Sequence, residues 1–454
     1  MAVTARQPAV RPGRAGRAGW RLPSFADCVL ALIGVGAIAV LALWWHDTPG
    51  LHGLGDWLTG AGEILGLLAG YGVVVLVALM ARLPPLERRV GADRLTRWHA
   101  MGGRYVVGLV TGHALLIIWG YAVTAHTGVI SETGTLLTSY PDVLMATVAA
   151  FLLLGVGIVS ARAARRRLHY DTWYYLHLYT YLAIALAFSH QFADGASFAG
   201  SLPARAAWSA LYIAVAAALV WYRVITPLRL SARHRFRVLR VEAEVPGVVS
   251  VFIDGRWLDE LNARPGQFFR WRFLARGLWW SSHPYSLSAA PGGRLLRITV
   301  KDRGDHSRAM ELLRPGTRII AEGPYGAFTP RRTGRRVLLL AGGVGITPLR
   351  AMFASLPGDV TLIYRASSDD ELVFRDELDA IALDRGLTVH YLVGSRAELG
   401  GDPLTPDVLR WLVPGLHRMD VYLCGPVGMA GTAKNALAGA GVPGRRIHYE
   451  SFEF

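Results

Sequence analysis

The stretch His99-Ala100-Met101-Gly102-Gly103-Arg104-Tyr105-Val106-Val107-Gly108-Leu109-Val110-Thr111-Gly112-His113 is largely apolar and carries a histidine at each end. A second apolar run, 174–191, carries His177 and His190. Both runs belong to segments long enough to cross ~30 Å of hydrocarbon at ~1.5 Å per residue. A polar side chain at that depth is costly and marks function by default. Neutral imidazole is also a normal axial ligand of haem iron. Fourteen residues turn an α-helix by ~1400°, ~40° short of four turns, so His99 and His113 share a face ~21 Å apart. Thirteen residues set His177 and His190 ~19.5 Å apart but miss a common face by ~140°. The segment bearing that pair therefore needs a π-bulge or kink, or the two sites must be offset. Gly102, Gly103, Gly108 and Gly112 either admit a macrocycle to the backbone or serve ordinary small-residue helix packing.

Working outward, six apolar stretches are each long enough to span a bilayer: 28–45, 60–81, 99–123, 143–161, 174–191 and 206–226. The segments 46–58 and 124–142 contain no Lys or Arg. Arg82, Arg88, Arg89, Arg94 and Arg97 fill the segment 82–97, and Arg162, Arg165, Arg166 and Arg167 the segment 162–171. Arg229, Arg233, Arg235, Arg237 and Arg240 follow the sixth stretch. The positive-inside rule puts these basic segments and both termini in the cytoplasm, in a multi-pass plasma-membrane protein. The third and fifth spans then run in the same direction. His99 pairs in depth with His177 and His113 with His190, giving two bis-histidine sites, one per leaflet. The net charge of +15 is mostly this topology signal, so the partner it implies is membrane lipid and not nucleic acid. Residues 1–26, Arg-rich and without acid, read as a basic disordered arm in preference to a cleaved signal peptide. The two cysteines, Cys28 and Cys424, form no CxxC. That argues against a zinc ribbon, an iron–sulfur cluster and c-type haem.

The composition shifts near residue 231. Alternating segments such as Arg237–Val241 and Arg297–Val300 read as strands bounded by Pro and Gly turns. From Arg336, apolar runs (Val337–Leu340, Val360–Tyr364, Thr388–Leu392, Asp420–Leu423) alternate with helical stretches, the pattern of a parallel α/β domain. The expected architecture is a multidomain membrane protein. A six-helix transmembrane bundle (27–230) precedes a small β-barrel domain (231–333) and an α/β nucleotide-binding domain (334–454). In His283-Pro284-Tyr285-Ser286, Tyr285 offers an aromatic plane and Ser286 a hydroxyl for a flavin, although these residues taken alone favour an exposed turn. Gly304 and Ser307 offer further backbone donors to phosphate. Val337–Leu340 leads into Ala341-Gly342-Gly343-Val344-Gly345-Ile346-Thr347-Pro348, a glycine turn between strand and helix, with Thr347 expected as N-cap and Pro348 as the first helical residue. Such a turn lets phosphate reach a helix N-terminus. The spacing is not GxGxxG. Arg365, Ser395 and Arg396 follow later strands and would suit a 2′-phosphate, favouring NADPH over NADH.

These pieces, in this order, resemble the superfamily of NADPH oxidases and ferric reductases, over roughly 27–454. The fourteen and thirteen histidine spacings match its pattern. His283-Pro284-Tyr285-Ser286 is similar to its HPF[ST] flavin motif, with Tyr285 for the commoner Phe, and Gly304, Asp305 and Ser307 to its second flavin element. Residues 341–348 resemble its nicotinamide loop, and Cys424-Gly425-Pro426 its CGP turn, where Val427 replaces an acid found in some members. Glu450-Ser451-Phe452-Glu453-Phe454 resembles its aromatic terminus. The resemblance implies FAD, NADPH and two b-type haems as cofactors, with Cys424 near the nicotinamide and Phe454 over the flavin ring. It implies electron flow from cytosolic NADPH to an outer acceptor: oxygen, giving superoxide, or a ferric chelate. His46, His52, His126, Glu132 and Asp194 are the candidate outer contacts, and without an acid-rich ferric site among them oxygen is favoured. A reading of another class is a six-helix transporter with a nucleotide-binding regulatory tail. No EF-hand loop occurs, so direct calcium control is not expected.

Overall fold

The computed structural model describes residues 23–48, 50–140, 142–161, 167–168, 170–193, 201–292, 294–330 and 336–450. The expected basic arm (to residue 22), Arg162, Arg165, Arg166, Asp194 and the terminal Ser451–Phe454 lie outside them.

The first half is helical: α1 (Phe25–Asp47), α2 (Leu54–Met80), the short α3 (Pro84–Arg89), α4 (Ala92–Thr124), α5 (Val129–Ser139), α6 (Val143–Ser160), α7 (Tyr170–Ala193) and α8 (Leu202–Val220). Ser24 caps α1 and Asp27 reciprocates, a capping box that starts the helix two residues before the expected boundary. A π-helical turn, Trp221–Ile225, joins α8 to α9 (Thr226–His234), so the shift expected at 231 falls inside a helix. Among the described residues, five helices are long and apolar enough to cross a membrane: Phe25–Asp47, Leu54–Met80, Arg94–Thr124, Val143–Ser160 and Leu202–His234. The chain is a multi-pass membrane protein. The expected fifth span is the 24-residue α7, long enough but less apolar, because tyrosines and both histidines interrupt its aliphatic run. α7 is an uninterrupted α-helix, so of the expected alternatives a π-bulge is absent from it. With its histidines ~140° apart, their rings reach α4 from the two flanks of α7. α2 packs along α4, and α6 along α7.

The second half contains two β modules. β1 (Arg237–Val245), β2 (Val248–Asp254) and β5 (Leu295–Lys301) form one antiparallel sheet, and β4 (His283–Ser286), β3 (Phe268–Phe273) and β6 (Ile319–Tyr325) another. Isolated bridges Arg237–Arg318 and Leu287–Ile298 join the sheets at both edges, closing a six-stranded ring. Its interior holds Phe236, Val251, Ile253, Phe269, Trp271, Phe273, Leu287 and Ile298, all 1% exposed or less. Alternate positions of each strand face inward, the period-two pattern seen in the sequence.

Beyond it, β7 (Val337–Gly342), β8 (Val360–Ala366), β9 (Thr388–Val393), β10 (Asp420–Cys424) and β11 (Ile447–Glu450) make a parallel sheet in the order β11-β10-β7-β8-β9. α11 (Ile346–Ser355), α12 (Arg375–Arg385), α13 (Pro406–Leu412) and α14 (Val427–Gly439) cover it, and the short α10 (Asp305–Ala309) belongs to the ring module. Leu338, Leu339 and Leu340 have no exposure, because a sheet covered on both faces buries consecutive residues. The chain leaves β7 toward β8 on one side and returns to β10 on the other. That reversal opens a crevice at the strand C-termini, where ligands of open α/β sheets bind.

Candidate functional site

The four membrane histidines meet in pairs. The His99 and His177 ring centroids are 5.9 Å apart, and those of His113 and His190 6.3 Å. These are the depth pairings read from topology. Backbone carbonyls orient the α4 rings: His99 Nδ1 lies 3.1 Å from the Leu76 carbonyl and His113 Nδ1 2.8 Å from that of Gly62. His177 Nδ1 lies 3.3 Å from Ser160 Oγ, which also accepts from Trp173 Nε1. A hydrogen bond at Nδ1 fixes the tautomer and leaves Nε2 as the ligating atom. Glycine makes room for this: a Cβ on Gly66 would stand 2.7 Å from His113 Nδ1. The small residues of α4 divide. A Cβ on Gly102 or Gly112 would meet Leu76 or Leu65 of α2 at 2.8 Å, whereas one on Gly103 or Gly108 meets nothing within 4 Å. The first two serve helix packing and the others border open space.

In the ring module the two flavin-like segments converge. β4 pairs with β3, and Trp271 Nε1 donates to the Tyr285 carbonyl at 3.2 Å. The His283 ring lies 3.7 Å from that of His306, whose Nδ1 is 3.4 Å from the Tyr285 hydroxyl. Gly304 begins α10 at φ 145°, a conformation that favours glycine. Ser307 Oγ closes the turn, donating to the Gly304 carbonyl and accepting from the Arg303 N–H. Burial, with help from the nearby Arg270 guanidinium, pushes His283 down to about 4. Burial pushes the Tyr285 phenol well above its ordinary range. Pro284 and Ser286 follow the strand, Ser286 buried. His306 lay outside the sequence reading, because its role depends on a contact across 23 residues of chain.

At the crevice of the parallel sheet, Gly342 ends β7 and a 3₁₀ turn, Gly343–Gly345, precedes α11. Gly343 has φ 52°, and a Cβ on Gly345 would stand 2.3 Å from the Cys424 carbonyl. The glycine turn is thereby packed against Cys424-Gly425-Pro426 at the end of β10, bringing the two nicotinamide-like motifs together. The helix starts earlier than expected. Gly345 is the N-cap, so Thr347 and Pro348 are its second and third residues, and the Thr347 hydroxyl donates back to the Val344 carbonyl at 3.0 Å. The reason is the tight turn at Gly343, which brings the chain into helical geometry sooner.

The phosphate-binding expectations meet a different arrangement. Arg365 donates to the carbonyls of Ala366, Leu392 and Gly394. Arg396 pairs with Asp402 at 2.8 Å, and Glu398 accepts from the Ser395 N–H at 2.6 Å. A 2′-phosphate would have to displace these partners. Three buried or half-buried contacts escaped the sequence reading altogether. Arg82, at the end of α2, pairs with Glu322 of β6, both under 10% exposed. Burial, together with the charges of Arg270 and Arg223, pushes Arg82 down to about 9. Arg297 and Arg350 converge on Glu377.

Residues 65–188 match the family described as ferric reductase like transmembrane component, and residues 339–435 the oxidoreductase NAD-binding domain. A flavohemoprotein of Pseudomonas putida is 31% identical over 233 residues, covering 48% of this chain and 59% of that protein. The ferredoxin reductase component of a 3-ketosteroid-9-alpha-monooxygenase of Mycobacterium tuberculosis is 32% identical over 204 residues, covering 42% of this chain and 56% of that protein. The FAD/NAD-binding domain of a nitric oxide dioxygenase of Vibrio cholerae aligns with TM-score 0.42 and 26% identity, covering 48% of this chain and 97% of that one. The chain thus spans somewhat over half the length of the curated relatives it matches. The chain therefore joins, in one polypeptide, a helical membrane segment similar to the ferric reductase like transmembrane component and an α/β segment similar to the oxidoreductase NAD-binding domain, the composition of an NAD(P)H-dependent oxidoreductase of ferric reductase type.

Proposed function

We propose that this protein moves electrons from NADPH on the cytoplasmic side of the plasma membrane, through FAD and two b-type haems, to an outer acceptor. Residues 27–230 are assigned to the haem domain, with α7 as its fifth span, 231–333 to FAD and 334–454 to NADPH. The observation that carries it is the pair of facing imidazoles at each of two depths. Centroid separations of 5.9 and 6.3 Å would leave room for a metal between the two rings of each pair, so that His99 with His177 and His113 with His190 would hold the two haems. Among the described residues no group of three or more His, Cys, Asp or Glu gathers to hold a metal. Two imidazoles alone suit a metal whose remaining ligands come from a macrocycle. When bound, the flavin accepts a hydride from NADPH and the haems relay single electrons outward.

The protein's own residues orient and shield. Leu76, Gly62 and Ser160 hold the ring tautomers. Gly342, Gly343, Gly345, Gly425 and Pro426 make the floor of the nucleotide crevice, with Cys424 beneath the nicotinamide. His283, Pro284, Tyr285 and Ser286, with Gly304 and Ser307, form the flavin wall, and Phe454 is assigned to its open face. Ser395 and Arg396 are assigned to the 2′-phosphate. The Arg82–Glu322 pair puts the β modules on the side of the Arg-rich segment 82–97, which supports a cytoplasmic placement for them.

Oxygen, reduced to superoxide, is the acceptor we favour. Two of the described outer carboxylates are committed locally: Glu132 is buried and accepts from Thr127, and Asp56 accepts from the His52 N–H. The match to the ferric reductase family keeps a ferric chelate as the second reading. Protein reconstituted with haem and FAD should oxidise NADPH and reduce cytochrome c in a manner abolished by superoxide dismutase. Faster, dismutase-insensitive reduction of a ferric chelate would establish the second reading. A preparation lacking the sharp reduced bands of bis-histidine haem would overturn both.

A further inference from the structure

The ring module and the parallel-sheet module share one charged junction. Arg297, on β5 and 5% exposed, donates in bidentate fashion to Glu377 of α12, Nη1 to Oε1 at 2.6 Å and Nη2 to Oε2 at 2.9 Å. Its Nη2 also donates to the Ser288 carbonyl at 3.1 Å. Ser288 is fully buried two residues beyond Ser286, in a hydroxyl chain with Thr299 and Ser250. Arg350 Nε donates to the same Glu377 Oε2 at 2.9 Å. Arg350 sits on α11, three residues after Thr347, on the helix that begins at the glycine turn. One carboxylate therefore receives two arginines: one braces the segment behind Tyr285 and Ser286, the other the helix behind the nucleotide crevice. The Phe374 ring lies 4.4 Å from the Arg297 guanidinium carbon, and Phe374 has a left-handed backbone (φ 66°) that large side chains rarely adopt. Local strain held in place by its surroundings is a feature of functional sites.

We propose that Glu377 is a positioning residue for hydride transfer, bridging Arg297 and Arg350 so that the nicotinamide and flavin sites are held at reacting distance. This rests on the NADPH-to-FAD reading above. The step moves one hydrogen nucleus and two electrons from the dihydronicotinamide, which is oxidised, to the flavin, which is reduced. It requires reacting atoms about 3–3.5 Å apart, and a misplacement of about 1 Å costs on the order of a hundredfold in rate. Glu377 touches neither reactant. Its effect falls on the spacing of the modules and not on the affinity of either cofactor.

The test uses the full chain in detergent, loaded with FAD. Glu377→Gln should slow anaerobic flavin reduction at saturating NADPH by roughly tenfold to a hundredfold, leave NADPH affinity within about twofold, and weaken the long-wavelength charge-transfer band of the nucleotide–flavin stack. Without any cofactor it should raise amide hydrogen exchange in α12 and β5. Arg297→Gln combined with Glu377→Gln should cost little more than either alone, because the two act as one unit. Glu377→Asp, which keeps the charge on a shorter arm, should fall between, and serves if Glu377→Gln misfolds. Arg375→Gln, on the exposed face of the same helix, should behave as the unchanged chain. A Glu377→Gln rate within twofold of the unchanged chain, or fully additive effects of the two substitutions, would overturn the proposal. An unchanged chain whose flavin is reduced by neither NADPH nor NADH would overturn the reading on which it rests.

Discussion

At the scale of the residue, the oxidoreductase half is sensitive to groups whose protonation is set by burial. His283 is held neutral, with its pKa pushed down to about 4. An unfolded histidine takes up a proton near pH 6.5. Between those limits the unfolded chain binds the extra proton, so stability falls as pH drops from about 6.5 to 4. His283→Gln should flatten that part of the melting-temperature profile; an unchanged slope would mean that other groups set it. Glu377 behaves differently. Burial alone would raise its carboxyl, but hydrogen bonds and charge from Arg297 and Arg350 outweigh this and hold it below the ordinary range. Its contribution is present above the ordinary glutamate pKa and is lost only as pH falls below it. Gly66 offers a steric test. An alanine there would press on the His113 ring at 2.7 Å, whereas one at Gly34 meets nothing within 4 Å. Gly66→Ala should lower haem content or shift the reduced bands, and Gly34→Ala should do neither. His113 itself was legible in the sequence, because an imidazole in a membrane span has few uses. Gly66 was not, because only the packed helices show which glycine faces it.

At the scale of the element, helix geometry carried the pairing of the histidines but not the local form of α7. A spacing of thirteen left a bulge, a kink or offset sites open; α7 runs as plain α-helix, and both its histidines still meet those of α4. Side-chain length absorbed what the axis did not. Four of the five parallel strands were legible as apolar runs, each within two residues of its observed end; β11, a four-residue edge strand that is only half-buried, was not. The order of those strands was not legible, and it is the order that makes the crevice between β7 and β10. Arg365 and Arg396 look alike in sequence and differ in structure. Arg365 ties the ends of β8 and β9 through three carbonyls, while Arg396 is more than half exposed beside Asp402. Arg365→Gln should therefore lower stability by about 1–3 kcal/mol by stranding those acceptors, with the NADPH-to-NADH ratio unchanged. Arg396→Gln should reduce that ratio and leave the melting temperature alone. Steady-state kinetics with both nucleotides and a thermal melt separate the two.

At the scale of the whole molecule, two junctions tie the membrane helices to the ring module. α9 continues the last membrane helix into the ring module and packs on β6. The Arg82–Glu322 pair fastens the end of α2 to the same strand. Removing one partner of a buried pair leaves an uncompensated charge, typically at a cost of about 3–5 kcal/mol. Here Arg82 would also face Arg270 and Arg223. Glu322→Gln should destabilise the junction by that order and slow the reduction of haem by flavin more than the reduction of flavin by NADPH; equal effects on both would contradict a role at this boundary. Neither of these junctions was readable in the chain, since each joins residues separated by tens to hundreds of positions. The order helical membrane region then α/β region was readable, because charge and hydropathy differ between the two. The account as a whole rests on the two imidazole pairs. The measurement that tests them most directly is haem stoichiometry with the reduced-minus-oxidised spectrum, for the unchanged chain and for His99→Ala and His190→Ala. The account predicts two low-spin haems per chain, with one lost in each variant and the two remaining spectra distinguishable. One haem or none in the unchanged chain, or both haems surviving either substitution, would contradict it.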